Sequence, residues 1–553
     1  MILSDQSPVR GLMQHWPLTV TRIIDHAVRE HGSRAVATRP VEGDVRRTSY
    51  ARIGALARRI AERLVAADIR PGDRVGTLAS NTDIHIALWY GIMGAGAVCH
   101  TINPRLFDEQ IAYIANHAED RILFIDTSFI PLVARLRPQL QSVEAVVVID
   151  AEASENGFIA LDDWLMGTDT KFGWVEVGEE AAAGLCYTSG TTGHPKGVLY
   201  SHRSTVLHAM MANFGDCFGL KASDVVLPVV PMYHANAWGL TFAAPMAGAS
   251  LVMPGPHLDA PSLYRLMRDE GVTFSAGVPT VWLGLLNYME AKGLSLPDLK
   301  RVAVGGSAVP RVMIEKFERD HGIRLLHLWG MTELSPLGTA SAPRTEETGL
   351  ADADTIRLKL KQGRVPFGVE MRIVDDAGAE MPRNGTASGN LVVRGPAVAR
   401  AYFRREDERP LDGGGWFPTG DVATIDEAGF MQITDRAKDV IKSGGEWISS
   451  IDIENIAVGH PDVAEAAVIG VPHPKWDERP LLAIVPRNDK APTADDMTRW
   501  LTGKIARWWM PDEVIVLERL PHTATGKLNK VALRAIIRDL RDSAETHQER
   551  KEP

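Results

Sequence analysis

The run Tyr187-Thr188-Ser189-Gly190-Thr191-Thr192-Gly193-His194-Pro195-Lys196-Gly197 concentrates groups that bind phosphate. Its glycines let the backbone turn tightly and aim N–H groups at phosphate oxygens. The Ser and Thr hydroxyls add donors, and Lys196 adds positive charge. It is not a Walker loop, because His194-Pro195 separates Gly193 from Lys196 and no Ser or Thr follows the lysine. Leu328-Trp329-Gly330-Met331-Thr332-Glu333 follows the apolar stretch Ile323–Leu326, which reads as a strand. It therefore falls at the strand end where α/β sheets bind ligands. Trp416-Phe417-Pro418-Thr419-Gly420-Asp421 ends in a carboxylate that could accept two hydrogen bonds from a ribose diol. Gly-Asp pairs are common in turns, so this signal is weak alone. Two lysine-bearing segments complete the set: Thr434-Asp435-Arg436-Ala437-Lys438-Asp439-Val440-Ile441-Lys442, and Pro521-His522-Thr523-Ala524-Thr525-Gly526-Lys527.

A scaffold must hold these groups together. The chain has 553 residues and 45% hydrophobic composition, more than one core usually supports, so at least two domains are expected. Predicted strands Arg74–Leu78, Arg121–Ile125 and Ala145–Ile149 alternate with helices Asp83–Met93 and Pro131–Leu140. That alternation predicts an α/β protein with mainly parallel sheets covered by helices. Short glycine-rich strands at Asn390–Arg394 and Phe430–Thr434 predict a β-rich subdomain. Beyond Asp435 a compact α/β series begins: helix Ser450–Val458, strands Ala464–Val471 and Leu481–Val485, helix Ala494–Trp508, strand Glu513–Leu517 and helix Lys530–Leu540. The boundary is placed at 434–436, giving a large domain over 1–434 and a small one over 435–553. The charged tail after Arg541 reads as frayed.

The net charge of -10 argues against nonspecific binding to nucleic acid or anionic membrane. Cys99, Cys186 and Cys217 show no CxxC spacing, which fits a reducing cytoplasm. Ile86–Val98 is too short and glycine-interrupted to span a bilayer and reads as a buried helix. The first eighteen residues lack the pattern of a secretory signal.

Taken in order from about Thr48 to Leu533, these motifs resemble the adenylate-forming superfamily of acyl-CoA synthetases, luciferases and peptide-synthetase adenylation domains. The pattern is most similar to medium- and long-chain fatty acid–CoA ligases and to methylmercaptopropionate–CoA ligases. The resemblance implies that Thr188, Ser189, Gly190, Thr191, Thr192, Gly193 and Lys196 cradle the ATP phosphates. Gly306 and Ser307 would form a wall beside the adenylate. His327, Leu328, Trp329 and Gly330 would lie at the nucleotide, with Trp329 on adenine where relatives commonly have Tyr. Thr332 would touch the α-phosphate, and Glu333 with Thr188 would hold Mg2+, a hard cation that prefers such oxygens. Asp421 would bind ribose, and Arg436, Lys438 and Lys442 would face ribose and phosphates. Asp435 would be the hinge of the small domain. Lys527 would bridge the incoming carboxylate and the α-phosphate as a point-like cation.

Pro231-Met232-Tyr233-His234-Ala235-Asn236-Ala237-Trp238 and Ala276-Gly277-Val278-Pro279-Thr280 are similar to the acid-binding segments of fatty acyl-CoA synthetases. The implied acyl and coenzyme A channel comprises His234, Ala235, Trp238, Gly277, Val278 and Trp447. His234 would sit at the carboxylate and thiol entrance, and Trp238 would act as a gate or serve only as a core aromatic. The implied reaction converts an acid, ATP and coenzyme A to acyl-CoA, AMP and pyrophosphate through an acyl-adenylate, in the cytoplasm, with homodimerisation as a further possibility. The expected acid is aliphatic: a fatty acid, or alternatively a short methylthioalkanoic acid. A noncatalytic binding protein on the same fold is the rival class, and it would be expected to have lost one of Lys196, Glu333, Asp421 or Lys527.

Overall fold

The computed structural model describes residues 11–188, 194–343, 352–406, 412, 414–436, 439–443, 446–488, 491–522 and 528–549. Among them the strands form four sheets. One sheet of seven strands runs Ile159–Ala160, Ala145–Val148, Asp120–Ile125, Arg74–Leu78, Val98–Thr101, Ala182–Tyr187, Gly197–Ser201. Its strands are parallel except for the last pair, which is antiparallel. A second sheet of eight strands runs Leu337–Ala340, Arg324–Gly330, Arg301–Val304, Phe274–Gly277, Val225–Pro228, Ser250–Met253, Ala35–Thr38, Arg46–Ser49. Only its two outermost pairs are antiparallel. The protein is thus α/β, as its strand–helix alternation predicts.

Parallel strands are covered on both faces, so they read as nearly continuous apolar runs. The helix between the first two parallel strands, Asp83–Gly94, is apolar all round because it is buried all round. The Thr82 hydroxyl caps it by accepting the His85 N–H at 3.2 Å. Trp89 and Tyr90 on this helix meet Phe242 on the helix Leu240–Ala247, with ring centroids 5.5 and 5.8 Å apart. Side chains from both large sheets join these aromatics in one buried cluster. The two sheets are therefore clamped face to face through shared helices, and their strand ends open onto a common cleft.

A third sheet is wholly antiparallel, in the order Glu370–Val374, Ser388–Arg394, Phe417–Ile425, Met431–Arg436. It is the β-rich subdomain that the sequence predicts. The fourth gathers Ile441–Ser443, Glu446–Ile448, Val463–His473, Asp477–Pro486 and Glu513–Val516 under helices Ser450–Val458 and Ala494–Leu501. It has its own buried clusters. The helix expected over 494–508 ends at Leu501, since Gly503 takes a φ of +76° and the chain resumes as a short turn at Arg507–Trp509. The helix expected over 131–140 gives way at Leu136 to a tighter turn containing Pro138. The last helix runs Lys530–Glu549, beyond the end read from sequence. No helix among the described residues is long and apolar enough to cross a membrane.

Candidate active site

The cleft between the strand ends holds a cavity of about 470 Å³. Four parts of the fold build it. From the seven-stranded sheet comes Thr188, one residue past the strand Ala182–Tyr187. The end of the strand Arg324–Gly330 supplies Leu328, Trp329 and Gly330, and the turn after it supplies Thr332 and Glu333. Gly277 ends one neighbouring strand, Val278 and Gly306 follow neighbouring strands, and His234, Ala235 and Trp238 come from the loop after Val225–Pro228. Arg436, at the end of the third sheet, closes it together with Asp439, Leu528, Asn529 and Lys530.

Glu333 is 6% exposed, so its carboxylate needs partners. Its Oε1 accepts the Tyr402 hydroxyl at 2.8 Å. The Lys196 ammonium lies 4.8 Å from the centre of that tyrosine ring. Tyr402 therefore joins the lysine of the glycine-rich run to the acidic end of the Trp329–Glu333 motif. Burial and the adjacent Glu333 charge push the Tyr402 pKa up, which keeps the hydroxyl a donor. Tyr200 fixes the preceding residue, its hydroxyl donating to the Thr332 carbonyl at 2.7 Å. Gly330 is required here, since a Cβ would lie 2.1 Å from the Pro336 carbonyl oxygen.

Asp421 and Arg436 face each other across the antiparallel ladder of the β-rich sheet. Arg436 Nε lies 2.8 Å from Asp421 Oδ1, and the Trp329 indole N–H donates to Oδ2 at 2.9 Å. The tryptophan is thus pinned edge-on by the carboxylate. Its ring is packed so closely over Gly338 that a Cβ there would approach it to 2.4 Å. Asp435, 2% exposed, accepts the Arg436 N–H at 2.7 Å and the Ser450 N–H at 3.0 Å. Its carboxylate so joins the end of the β-rich sheet to the first turn of the helix Ser450–Val458.

Part of the cavity wall is apolar, with Phe218, Val229, Val230, Val278 and Val281 among its residues. Asn81, 2% exposed and projecting from the other large sheet, holds this wall in place. Its amide N–H groups donate to the carbonyls of Pro228 and Val230 at 2.9 Å each, and its oxygen accepts the Met232 N–H at 2.7 Å.

Residues 24–403 match the family model described as AMP-binding enzyme, and residues 452–527 match its C-terminal domain. The chain belongs to the AMP-binding enzyme family. Among similar proteins is the 3-methylmercaptopropionyl-CoA ligase of Ruegeria lacuscaerulensis, 49% identical over 96% of this chain and 99% of the relative. The medium-chain-fatty-acid–CoA ligase of Ectopseudomonas oleovorans is 46% identical over 96% of this chain and 98% of its own. Among solved structures, an anthranilate CoA ligase in complex with anthranoyl-AMP superimposes with a TM-score of 0.86 at 25% identity, covering 95% of this chain and 99% of that one.

Within this AMP-binding enzyme, Thr188, His234, Ala235, Trp238, Gly277, Val278, Gly306, Leu328, Trp329, Gly330, Thr332, Glu333 and Arg436 share the cavity. Lys196 and Asp421 stand one contact behind it, through Tyr402 and through Trp329 and Arg436. His327 and Ser307 do not line it. His327 is 1% exposed with Nδ1 3.1 Å from the Lys359 carbonyl, and Ser307 is exposed outside the cavity. Ser189, Gly190, Thr191, Thr192, Gly193, Lys438 and Lys527 lie outside the described residues, as do the side chains of Lys442 and Trp447. The backbones of that last pair face each other across a strand ladder. Leu528, the residue after Lys527, lines the cavity.

Sequence reasoning missed Arg105, Tyr402 and Lys530. Arg105 follows the parallel strand Val98–Thr101 at its C-terminal end, a position that could have drawn notice. Tyr402 sits in an irregular loop with no periodic signal. Lys530, three residues past Lys527, was overshadowed by it. Its ammonium bonds to Ser450 Oγ and lies 2.8 Å from Glu454 Oε1. Burial works against that charge, yet the carboxylates of Glu454, Asp435 and Asp439 hold it above the usual lysine range.

Proposed function

We propose that the chain is an AMP-forming acid–CoA ligase acting on an aliphatic carboxylic acid. The observation that carries this reading is a single cavity with two chemistries. Thr188, Thr332, Glu333 and Arg436 line it, together with the apolar Phe218, Val229, Val230, Val278 and Val281. Nucleotide phosphates suit the first, and an acyl chain suits the second. In the first half-reaction the acid's carboxylate attacks the α-phosphorus of ATP and pyrophosphate leaves. In the second the coenzyme A thiol attacks the mixed anhydride and AMP leaves. The protein's part is positioning and charge compensation. Thr332 and the glycine-rich run bind phosphate oxygens, Asp421 takes the ribose once Arg436 yields to it, and Lys527 meets the charge that builds between carboxylate and phosphate. His234 lies where acid and thiol meet.

Glu333 and Thr188 supply the hard oxygen donors that suit Mg2+, which keeps few protein ligands beside phosphate and water. When bound, the ion neutralises phosphate charge. Small-domain rotation about Asp435, from a large domain over 1–434 to a small one over 435–553, would let one site serve both halves. The three cysteines are free and buried, which supports a cytoplasmic setting, and a homodimer is proposed from the resemblance alone.

One observation favours the short methylthioalkanoic acid over a long fatty acid: the bulky Trp238 side chain stands in the cavity lining, its ring reaching Gly305. The test is coenzyme A-dependent AMP release over acids from propionate to palmitate, with methylthiopropionate included. Release with the shorter members is expected. Release only with palmitate-length acids would overturn the short-acid reading, and silence across the panel with no pyrophosphate exchange would overturn the ligase.

A further inference from the structure

The residues Ala235, Asn236, Ala237, Trp238 and Gly239 take consecutive φ values of 43°, 54°, 50°, 55° and 77°. This is a full left-handed turn, and four of its five residues carry a Cβ. Each such residue is disfavoured by roughly 1–2 kcal/mol in that conformation, with Asn tolerating it best. A run like this persists only where its surroundings over-determine it, and it typically stands at functional sites. Here it carries Ala235 and Trp238 and adjoins His234, all in the cavity wall. The Trp238 ring reaches Gly305, where an added Cβ would lie 3.4 Å from it.

The surroundings supply two fixings. Gly239 abuts His208 so closely that a Cβ would lie 2.7 Å from the imidazole, whose Nε2 accepts the Leu337 N–H at 3.1 Å. The second fixing is a hydrogen bond to the buried Asn236 side chain: the Cys186 thiol donates to Asn236 Oδ1 at 3.3 Å. Cys186 also meets Thr101 Oγ1 at 3.1 Å and stands one residue before the end of the strand that leads into Thr188. Burial pushes the thiol up to about 11, so it stays a donor at neutral pH.

Resting on the ligase reading, we propose that Asn236 is a positioning residue: through Cys186 it holds the left-handed turn that presents His234 and Trp238 to the acid, and so sets which acids the enzyme accepts. Released, the turn relaxes to an ordinary backbone form and withdraws the tryptophan. Asn236→Ala removes the hydrogen bond and puts the strained conformation on alanine, whereas Asn236→Gly removes the same bond but adopts positive φ freely.

The experiment measures kcat/KM for each acid of the panel, KM for ATP, and melting temperature in wild type, Asn236→Ala, Asn236→Gly and Cys186→Ser. The expected result is a fall of about tenfold in kcat/KM for the preferred acid in Asn236→Ala, with a changed ranking of acids and ATP KM unmoved. Asn236→Gly should keep the wild-type ranking and melt higher than Asn236→Ala, the reverse of the usual order of these residues. Cys186→Ser, which keeps a donor, should follow wild type. Equal effects of Ala and Gly on ranking and melting, or an unchanged ranking in Asn236→Ala, would overturn the proposal. Inactivity of the unsubstituted enzyme would fall on the ligase reading instead, and the melting order would still decide whether Asn236 holds the turn.

Discussion

Tyr402 shows how much one hydroxyl can organise. Its ring lies beside the Lys196 ammonium and its oxygen donates to Glu333, so a cation proposed for the phosphates and a carboxylate proposed for Mg2+ are spaced by one side chain. Tyr402→Phe keeps the ring and the cation–π contact and deletes only the donor. A hydrogen bond to a charged group contributes about 1.5–3 kcal/mol. Much of that should appear in the adenylation step if Glu333 must be held to meet the nucleotide. Pyrophosphate exchange is therefore expected to fall about 10-fold, with the acid ranking unchanged. Exchange within twofold of wild type would show that Glu333 finds its place without Tyr402.

The elements that position the site were partly legible in advance. Strand Arg74–Leu78 and helix Ser450–Val458 have the bounds that apolar runs and turn residues mark. The nucleotide-side residues were legible because their motifs are local: loop, strand end and turn each lie within a few positions. What was illegible joins residues far apart in the chain. Tyr402 meets Glu333 across 69 residues, and Asn81 reaches Met232 across 151. No period or spacing encodes such pairs. The left-handed turn was hidden for another reason, since only Asn236 and Gly239 in that run favour positive φ. The Asp435 carboxylate sits at this level too. It accepts the Ser450 N–H, adding to the Ser449 cap of the helix Ser450–Val458, and faces Lys530, so it works on two elements of the small domain at once. Loss of a helix cap costs about 1 kcal/mol. Asp435→Ala is expected to lower the melting temperature by a few degrees and, if Asp435 is the hinge, to slow thioester formation from supplied acyl-AMP more than pyrophosphate exchange. Equal slowing of both halves would leave Asp435 a cap and remove it as the hinge.

At the scale of the whole molecule, the interior holds histidines that fold neutral. Burial lowers His85, His202 and His327 to about 4 and His208 to about 3. Their contacts depend on the neutral ring. His85 Nε2 accepts the Trp89 indole N–H at 3.0 Å, His202 Nδ1 accepts the Val20 N–H at 3.2 Å, and His208 accepts from Leu337. In the unfolded chain each would take up a proton near pH 6.5. Between pH 6.5 and about 4 the unfolded state therefore binds more protons than the folded one, and stability must fall as pH drops through that window. Each histidine contributes about 1.4 kcal/mol per pH unit there. Asp126 opposes them: burial raises it to about 6, so its own contribution improves on acidification. Burial raises Asp120, Asp452 and Glu454 as well, so these carboxylates release protons on unfolding against the uptake by the imidazoles, to which His117, also lowered by burial, adds. The melting temperature should be nearly level from pH 8 to 7 and then fall toward pH 5, while calorimetry in buffers of different ionisation enthalpy reads the proton count. A level melting temperature down to pH 5 would mean that these histidines are already charged in the fold, and that the bonds to Trp89, Val20 and Leu337 are not what holds them.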